Sequence, residues 1–376
     1  MSDAWEVPTV GVEEELFLVD PGSRRLVAAG PRVVARAGPA LGDQVAGEFA
    51  QSQVEVRTSP CTTAEELRQE LLRLRAGVAD AARAEGLRVC ASGTPVVGDG
   101  EPTPVGDHPR YRAGVRQYRA MMADFSICAF HAHVHLPDRE TAVLVGNHLR
   151  PWLPLVVAMS ANSPFHRGQD TGYASWRSVI RGRFPCLGPP PYAASLGEHE
   201  RLAAAIADTE AMLDAGMPFW DLRPNPRLPT LEIRSMDVLA DVDDTVALTV
   251  LLRALVMTAR ETVLRGDPGP RTSSEVLRAA YWRAARDGWS GAGVDALEGR
   301  VLPAPVQAAR LADLVRPMLE RFGDTARVTA FLHRLTTRGS GDRLQRAVAR
   351  EAGLTGVVDD VVARTRGERP PQDPVG

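Results

Sequence analysis

The chain has 376 residues, a formal net charge of −3 and 44% hydrophobic residues, enough to bury a sizeable core. No basic stripe or charge run marks a nucleic-acid or anionic-membrane partner, and no apolar run approaches the roughly 20 residues of a membrane span. All 44 basic residues are arginine, which excludes the chemistries that need a lysine, the P-loop and Schiff-base or pyridoxal catalysis among them. Any phosphate bound here must be met by arginine, metal or backbone NH groups. Residues 1–15 lack the basic region and long apolar run of a signal peptide, so a cytoplasmic protein is expected. The four widely spaced cysteines show no metal or disulfide spacing and read as buried free thiols.

In chain order, residues 8–19 alternate as a strand that runs into a turn at Asp20-Pro21-Gly22, with a short return strand near Arg25–Ala28. Residues 45–57 read as the next strand. A helix spans 63–84, opened by a capping box of Thr63 and Glu66. A short strand follows at 87–91, a Gly/Pro/Asp-rich loop at 92–109 and a helix at 111–123. Residues 127–136 form a strand, and Asp138 caps a helical stretch over 139–161 that Pro151 and Pro154 interrupt. Residues 161–175 are a polar loop of the kind that covers a substrate, with Arg177 at the start of the next helix, and 185–193 is a proline-rich loop. A helix at 196–215 and strands at 219–222 and 230–236 complete the strand-rich part. Helices are expected at 243–264, 273–286, 303–321, 325–337 and 342–351, and a flexible tail from 367 to 376. The pattern is α+β, a mainly antiparallel sheet with one polar face and helices packed on the other. One catalytic domain over 1–366 is expected, sheet-rich in 8–237 and helical in 243–351.

Four of these strands carry ligand-type side chains in alternation. Side chains alternate across a strand, so Glu13 and Glu15 share a face, as do Gln53, Glu55 and Arg57, then His131, His133 and His135, then Glu232 and Arg234. The opposite faces carry Val12, Val54, Val56, Ala132, Val134, Leu231 and Ile233. Glu48 has the wrong parity to join Glu55 without a bulge or bend. Singly, each group reads equally as a surface acidic patch, a cross-strand ion pair or a packed histidine. Together, clustered carboxylates repel unless cations neutralise them, and carboxylates suit Mg²⁺ or Mn²⁺, which keep open positions for substrate phosphates. The residues therefore point to a Mg²⁺–nucleotide site on a sheet, built without a P-loop.

The stretches GVEEELFLVD (11–20), EFAQSQVEVRTSPC (48–61), FHAHVHLPDRE (130–140), ANSPFHRGQDTGYASWR (161–177) and FWDLRPNPRLPTLEIRSMD (219–237), in this order, resemble the carboxylate–amine ligase family, also called type 2 glutamate–cysteine ligases. The fold of that family is similar to the catalytic sheet of glutamine synthetase. The resemblance implies ATP-dependent amide formation between a carboxylate, typically the γ-carboxyl of glutamate, and an amine such as cysteine, through an acyl phosphate. It implies Mg²⁺ or Mn²⁺ ligands at Glu13, Glu15, Glu48, Glu55, Glu232 and one strand histidine, His133 first and His135 next. Arg234 and Glu55 are the implied catalytic residues, with Arg234 on the γ-phosphate. Arg57, Arg177, Arg223, His135 and Thr171 are implied to contact ATP or substrate. The expected partners are small amino acids and amines, and homo-oligomerisation is compatible with everything above. The alternatives are a metallohydrolase using the His-x-His pair, or a non-catalytic nucleotide or metal binder.

Overall fold

The computed structural model describes residues 7–98, 104–213 and 219–368. Eleven strands are described, in chain order β1 Val10–Val19, β2 Val45–Gly47, β3 Gln53–Arg57, β4 Arg88–Cys90, β5 Ala129–His135, β6 Phe165–His166, β7 Gln169–Asp170, β8 Leu222–Pro224, β9 Thr230–Asp237, β10 Ala292–Asp295 and β11 Arg300–Pro303. Seven of them make one sheet in the order β2-β3-β1-β5-β9-β8, with β4 pairing the far half of β1. Every pairing in it is antiparallel. The register sets Glu15 opposite Glu55, Glu13 opposite both Arg57 and His131, His133 opposite Glu232, and Glu232 opposite Arg223.

The apolar face behaves as the alternation demands. Val10, Val12, Phe130, Ala132, Val134, Leu231 and Ile233 are all at most 2% exposed and pack with Leu67 and Leu71 of helix Ala64–Ala84 and with helix Val242–Leu264. That second helix is buried nearly all round, as a helix at the centre of a core must be. Helices Ala304–Phe322 and Thr325–Arg338 close the layer behind it. One residue of that face is charged. Glu14, fully buried, accepts from Nε and Nη2 of Arg75 on helix Ala64–Ala84, at 2.7 and 2.6 Å.

Thr63 and Glu66 form the capping box as expected. Asp138 caps helix Arg139–Leu149, and the run is interrupted by a 3₁₀ turn at Arg150–Trp152 before helix Leu153–Ser160. Arg139–Ser160 is, against expectation, long and apolar enough to cross a membrane by length and composition, and 78% of its most apolar window is buried inside the protein.

Several elements differ from expectation. Residues 45–57 are a hairpin, with β2 and β3 joined through Glu48–Ser52, rather than one strand. The return strand at 25–28 shrinks to a single bridge, Val19 with Leu26. Helix Gly30–Leu41 was not expected; its Pro31 occupies the first turn, where the missing NH costs nothing. At Gly30 a Cβ would lie 2.7 Å from the Gln53 carbonyl oxygen, so only glycine lets this helix start against β3. The last helix runs on to Thr365, past a kink at Gly353, instead of stopping near 351. The hairpin β10–β11 was also unforeseen. The predicted tail lies, from 369 onward, outside the described residues, as do 214–215 of the predicted helix at 196–215, which ends at Ala207. Of the four cysteines, Cys61, Cys90 and Cys128 are buried, Cys186 is partly so, and all are free thiols.

Candidate active site

On the polar face of the sheet, a cavity of about 510 Å³ is lined by Glu13, Glu15, Glu48, Glu55, Glu232, Arg57, Arg177, Arg223, Arg234 and His131. The strands explain this convergence. Glu13 and Glu15 lie two residues apart on β1, ~7 Å along the strand, and each gathers a different set. Ligand-type atoms of Glu13, His133 and Glu232 lie within 4.8 Å of one another, and so do those of Glu15, Glu48 and Glu55. Glu48 joins the second set because it sits in the turn between β2 and β3, where strand parity no longer applies. The anticipated bend is thus a chain reversal.

The Glu15 set is a cluster of carboxylates with little to neutralise it. Burial and then the Glu48 charge push Glu15 up to about 7, although Arg177, Arg234 and the Ala129 NH, which donates to it at 2.8 Å, pull the other way. Glu55 is pushed well up by burial and by Glu48 and Glu13, against its 2.9 Å ion pair with Arg57. A divalent cation removes that repulsion with hard oxygen donors in place.

The Glu13 set is arranged differently. Burial works to raise Glu13, but the imidazoles of His131 and His133 outweigh it and hold the carboxyl below its usual range. His133 Nδ1 is fixed by the Thr230 hydroxyl at 3.0 Å, which leaves Nε2 buried, 3.5 Å from Glu13 Oε1 and without a well-formed hydrogen bond. An imidazole oriented through one nitrogen, with the other facing two carboxylates, is how a ligating histidine is held. Glu232, 1% exposed, accepts from Arg223 at 3.0 and 3.3 Å, from Asn225 Nδ2 at 2.8 Å and from Arg234. Burial opposes its ionisation, and the charges of Arg234 and Arg223 overcome it. The donor sets fit two hard divalent cations, one per triad.

His131 is the residue the sequence assigned least and the structure places most centrally. Its Nδ1 is 3.1 Å from Glu13 and 3.4 Å from Arg234, and its Nε2 is 3.9 Å from Glu15. Burial and then Arg234 drive its pKa down to about 3, so the ring is neutral at physiological pH. Arg177 is 1% exposed and reaches the cavity through β9, donating to the carbonyls of Ser235 and Arg234 at 3.2 Å each. It is held there by Asp237, which also accepts from Ser163 and Ser175 at 2.6 and 2.8 Å.

Two expected residues stand apart. His135 is exposed at the end of β5, and Thr171 bonds to the Pro164 carbonyl at 2.8 Å within its own loop; neither lines the cavity. No residue of 162–175 lines it either, so the expected cover is a knot of loop packing around Asp237. Missed by sequence reasoning were Arg181, buried and paired with Asp221, and Arg110, Asn225 and an aromatic wall. The His-x-His metallohydrolase alternative gains nothing: the pair lies on a central antiparallel strand among carboxylates and arginines, and His148, His166, His199 and His333 belong to neither triad.

Because Glu15 and Glu55 are held up, a cation must displace their protons to bind. Affinity for Mn²⁺ is therefore expected to weaken as pH falls below about 7, by roughly tenfold per pH unit for each proton released. Calorimetry in buffers of different ionisation heat counts those protons; an affinity flat between pH 6 and 8 would refute the assignment.

Residues 9–363 match the family model described as glutamate–cysteine ligase family 2. A relative from Saccharopolyspora erythraea, provisionally named glutamate–cysteine ligase 2-2, is 43% identical over 95% of this chain and 92% of its own length. One of the same provisional name from Mycolicibacterium vanbaalenii is 44% identical over 95% and 97%. Among solved structures, the glutamate–cysteine ligase of Francisella tularensis in complex with AMP is similar with a TM-score of 0.68, at 12% identity over 96% of this chain and 89% of that one. The ligase PafA, solved with the prokaryotic ubiquitin-like protein Pup, is similar at 0.54, again at 12% identity, over 96% and 73%. At these identities the likeness is one of fold, the glutamine-synthetase-like α+β architecture expected from the sequence.

Proposed function

The chain belongs to glutamate–cysteine ligase family 2, and from that premise we propose that it uses ATP to join a carboxylate to an amine through an acyl phosphate, with the γ-carboxyl of glutamate as the acid. The reading is carried by one observation: two triads of ligand-type side chains meet at Glu13 and Glu15 of β1, and their carboxylates line one cavity together with Arg223 and Arg234.

The chemistry follows from charge. A carboxylate is a poor electrophile, so its oxygen attacks the γ-phosphorus of ATP, the β–γ bridging bond breaks and ADP leaves. The amine nitrogen then attacks the acyl carbon, phosphate departs with the C–O bond electrons, and the amine gives up a proton. Two anions must meet in the first step, which is the barrier the site addresses. Glu13, His133 and Glu232, and Glu15, Glu48 and Glu55, would hold Mg²⁺ or Mn²⁺, which would supply positive charge against the phosphates. Arg234, anchored by Glu232 and lining the cavity, stabilises charge on the moving phosphoryl group. Arg223 and Arg177, both buried, are suited to anionic oxygens in a dry setting. Neutral His131, packed between Glu13, Glu15 and Arg234, keeps these groups apart without adding charge.

The direct test is phosphate release by the purified chain with ATP and Mg²⁺, with and without glutamate, across a panel of amines, followed by product mass. Release that needs both acid and amine and yields an amide mass is expected. Failure to bind ATP at all would sink the reading.

A further inference from the structure

The cavity has a second character away from the carboxylates. The whole chain contains nine Phe and five Tyr, and six of these line this one cavity: Phe49, Tyr111, Tyr118, Phe125, Phe184 and Phe219. Five form a continuous edge-to-face chain: Tyr111 on Phe49 at 5.6 Å, Phe49 on Phe125 at 5.8 Å, Phe125 on Phe184 at 4.8 Å and Phe184 on Tyr118 at 5.2 Å. They come from separate segments: the β2–β3 turn, helix Pro109–Tyr118, and the chain before β5 and after helix Trp176–Arg181. Phe184 is buried, but Phe49, Tyr111, Tyr118 and Phe125 are only partly so, and such a surface gains by being covered with carbon.

The wall begins at the reacting end, because Phe49 follows Glu48 of the second triad directly and its NH donates to the Glu48 carboxylate at 2.8 Å. We propose that this wall binds the body of the acceptor amine, and that the acceptor is an amine bearing a bulky apolar or aromatic group rather than cysteine. The proposal rests on the ligase reading above for which substrate is an amine. Cysteine would cover the rings with one methylene and a thiol. A nucleobase is the competing occupant, and the polar atoms of the wall speak against it. The Tyr111 hydroxyl bonds to the Gly47 carbonyl and the Tyr118 hydroxyl to the Ala211 carbonyl, each at 3.4 Å, and the latter also accepts from the Leu213 NH at 3.2 Å. The phenols are thus turned toward backbone, and the rings present carbon. A purine edge buried against carbon leaves donors and acceptors unpaired, at about 1–3 kcal/mol each; an aryl or alkyl group has none to lose.

The test is calorimetric titration of the full chain with Mg²⁺ and β,γ-imido-ATP, then with 2-phenylethylamine or L-cysteine. 2-Phenylethylamine is expected to bind at least ~10-fold more tightly than cysteine. Phe125→Ala is expected to weaken 2-phenylethylamine at least ~10-fold while leaving imido-ATP unchanged, and Phe125→Leu, which keeps an apolar filler, to recover part of that loss. Cysteine binding more tightly, or Phe125→Ala weakening imido-ATP and not the amine, would overturn the proposal, the second result giving the wall to the nucleobase. If imido-ATP fails to bind while 2-phenylethylamine binds in a Phe125-dependent manner, the wall assignment stands and the ligase reading falls.

Discussion

Arg234→Ala is expected to lower the turnover of ATP-dependent amide formation by ~10²–10³-fold or more, the range for deleting a group aimed at charge that develops in the transition state. The fold is expected to survive. Glu232 keeps its two bonds from Arg223 and one from Asn225 after the loss, so no buried carboxylate is stranded. Substrate affinity should change less than turnover, since the guanidinium works hardest when the γ-phosphoryl group is between oxygens. Steady-state phosphate release beside a thermal melt separates the two effects. A variant with turnover within a few-fold of the parent would remove Arg234 from the chemistry and leave it as the clamp on Glu232.

Arg75→Ala is expected to cost about 3–5 kcal/mol of stability, the range for removing one partner of a buried ion pair. Glu14 is fully buried, and after the change it would retain one bond, from the Thr245 hydroxyl at 3.1 Å. The carbonyls of Leu239 and Ala240, which accept from Arg75 at 2.8 and 2.6 Å, lose their donor as well. Pairing the change with Glu14→Leu should recover much of the loss, because the stranded charge is then gone. Urea midpoints for the parent, single and double variants give the answer. A single-variant loss below about 1 kcal/mol would mean that water reaches Glu14.

Much of the site was legible because strands write their faces into the sequence with period two. Glu13, Glu15, Glu55, His133, Glu232 and Arg234 could be assigned to one face from alternation alone, and the pairing register then set them opposite one another. Glu48 was legible only as a parity conflict, since a chain reversal leaves no periodic trace. His135 shares parity with His131 and His133 but lies where β5 leaves the sheet, so alternation overstated it. Arg75 was illegible because its helix reads as amphipathic with charged residues outside, and nothing local announces that one of them faces the core. The aromatic wall had no signal either: its rings come from separate segments, and only tertiary packing brings them together. Helix Gly30–Leu41 carries two prolines, yet Pro31 is tolerated at the helix start and Pro39 lies in the last turn.

Three consecutive glutamates on β1 have a further consequence, for how the chain avoids folding wrongly. The run Glu13-Glu14-Glu15 by itself looks nearly the same after a slip of one residue, so the facing of β1 is set by its flanks, Val10 and Val12 among them, and by the partner waiting for Glu14. The slip would turn Glu13 and Glu15 into the core and leave Glu14 alone toward the cavity. Two carboxylates would then share the single guanidinium of Arg75, with the carboxylates crowding one another in the driest part of the molecule. The Arg75 seat pairs with one glutamate and would leave a second one uncompensated, so it disfavours the slipped alignment. Losing it would show in the yield of correctly folded chain as well as in the midpoint of unfolding.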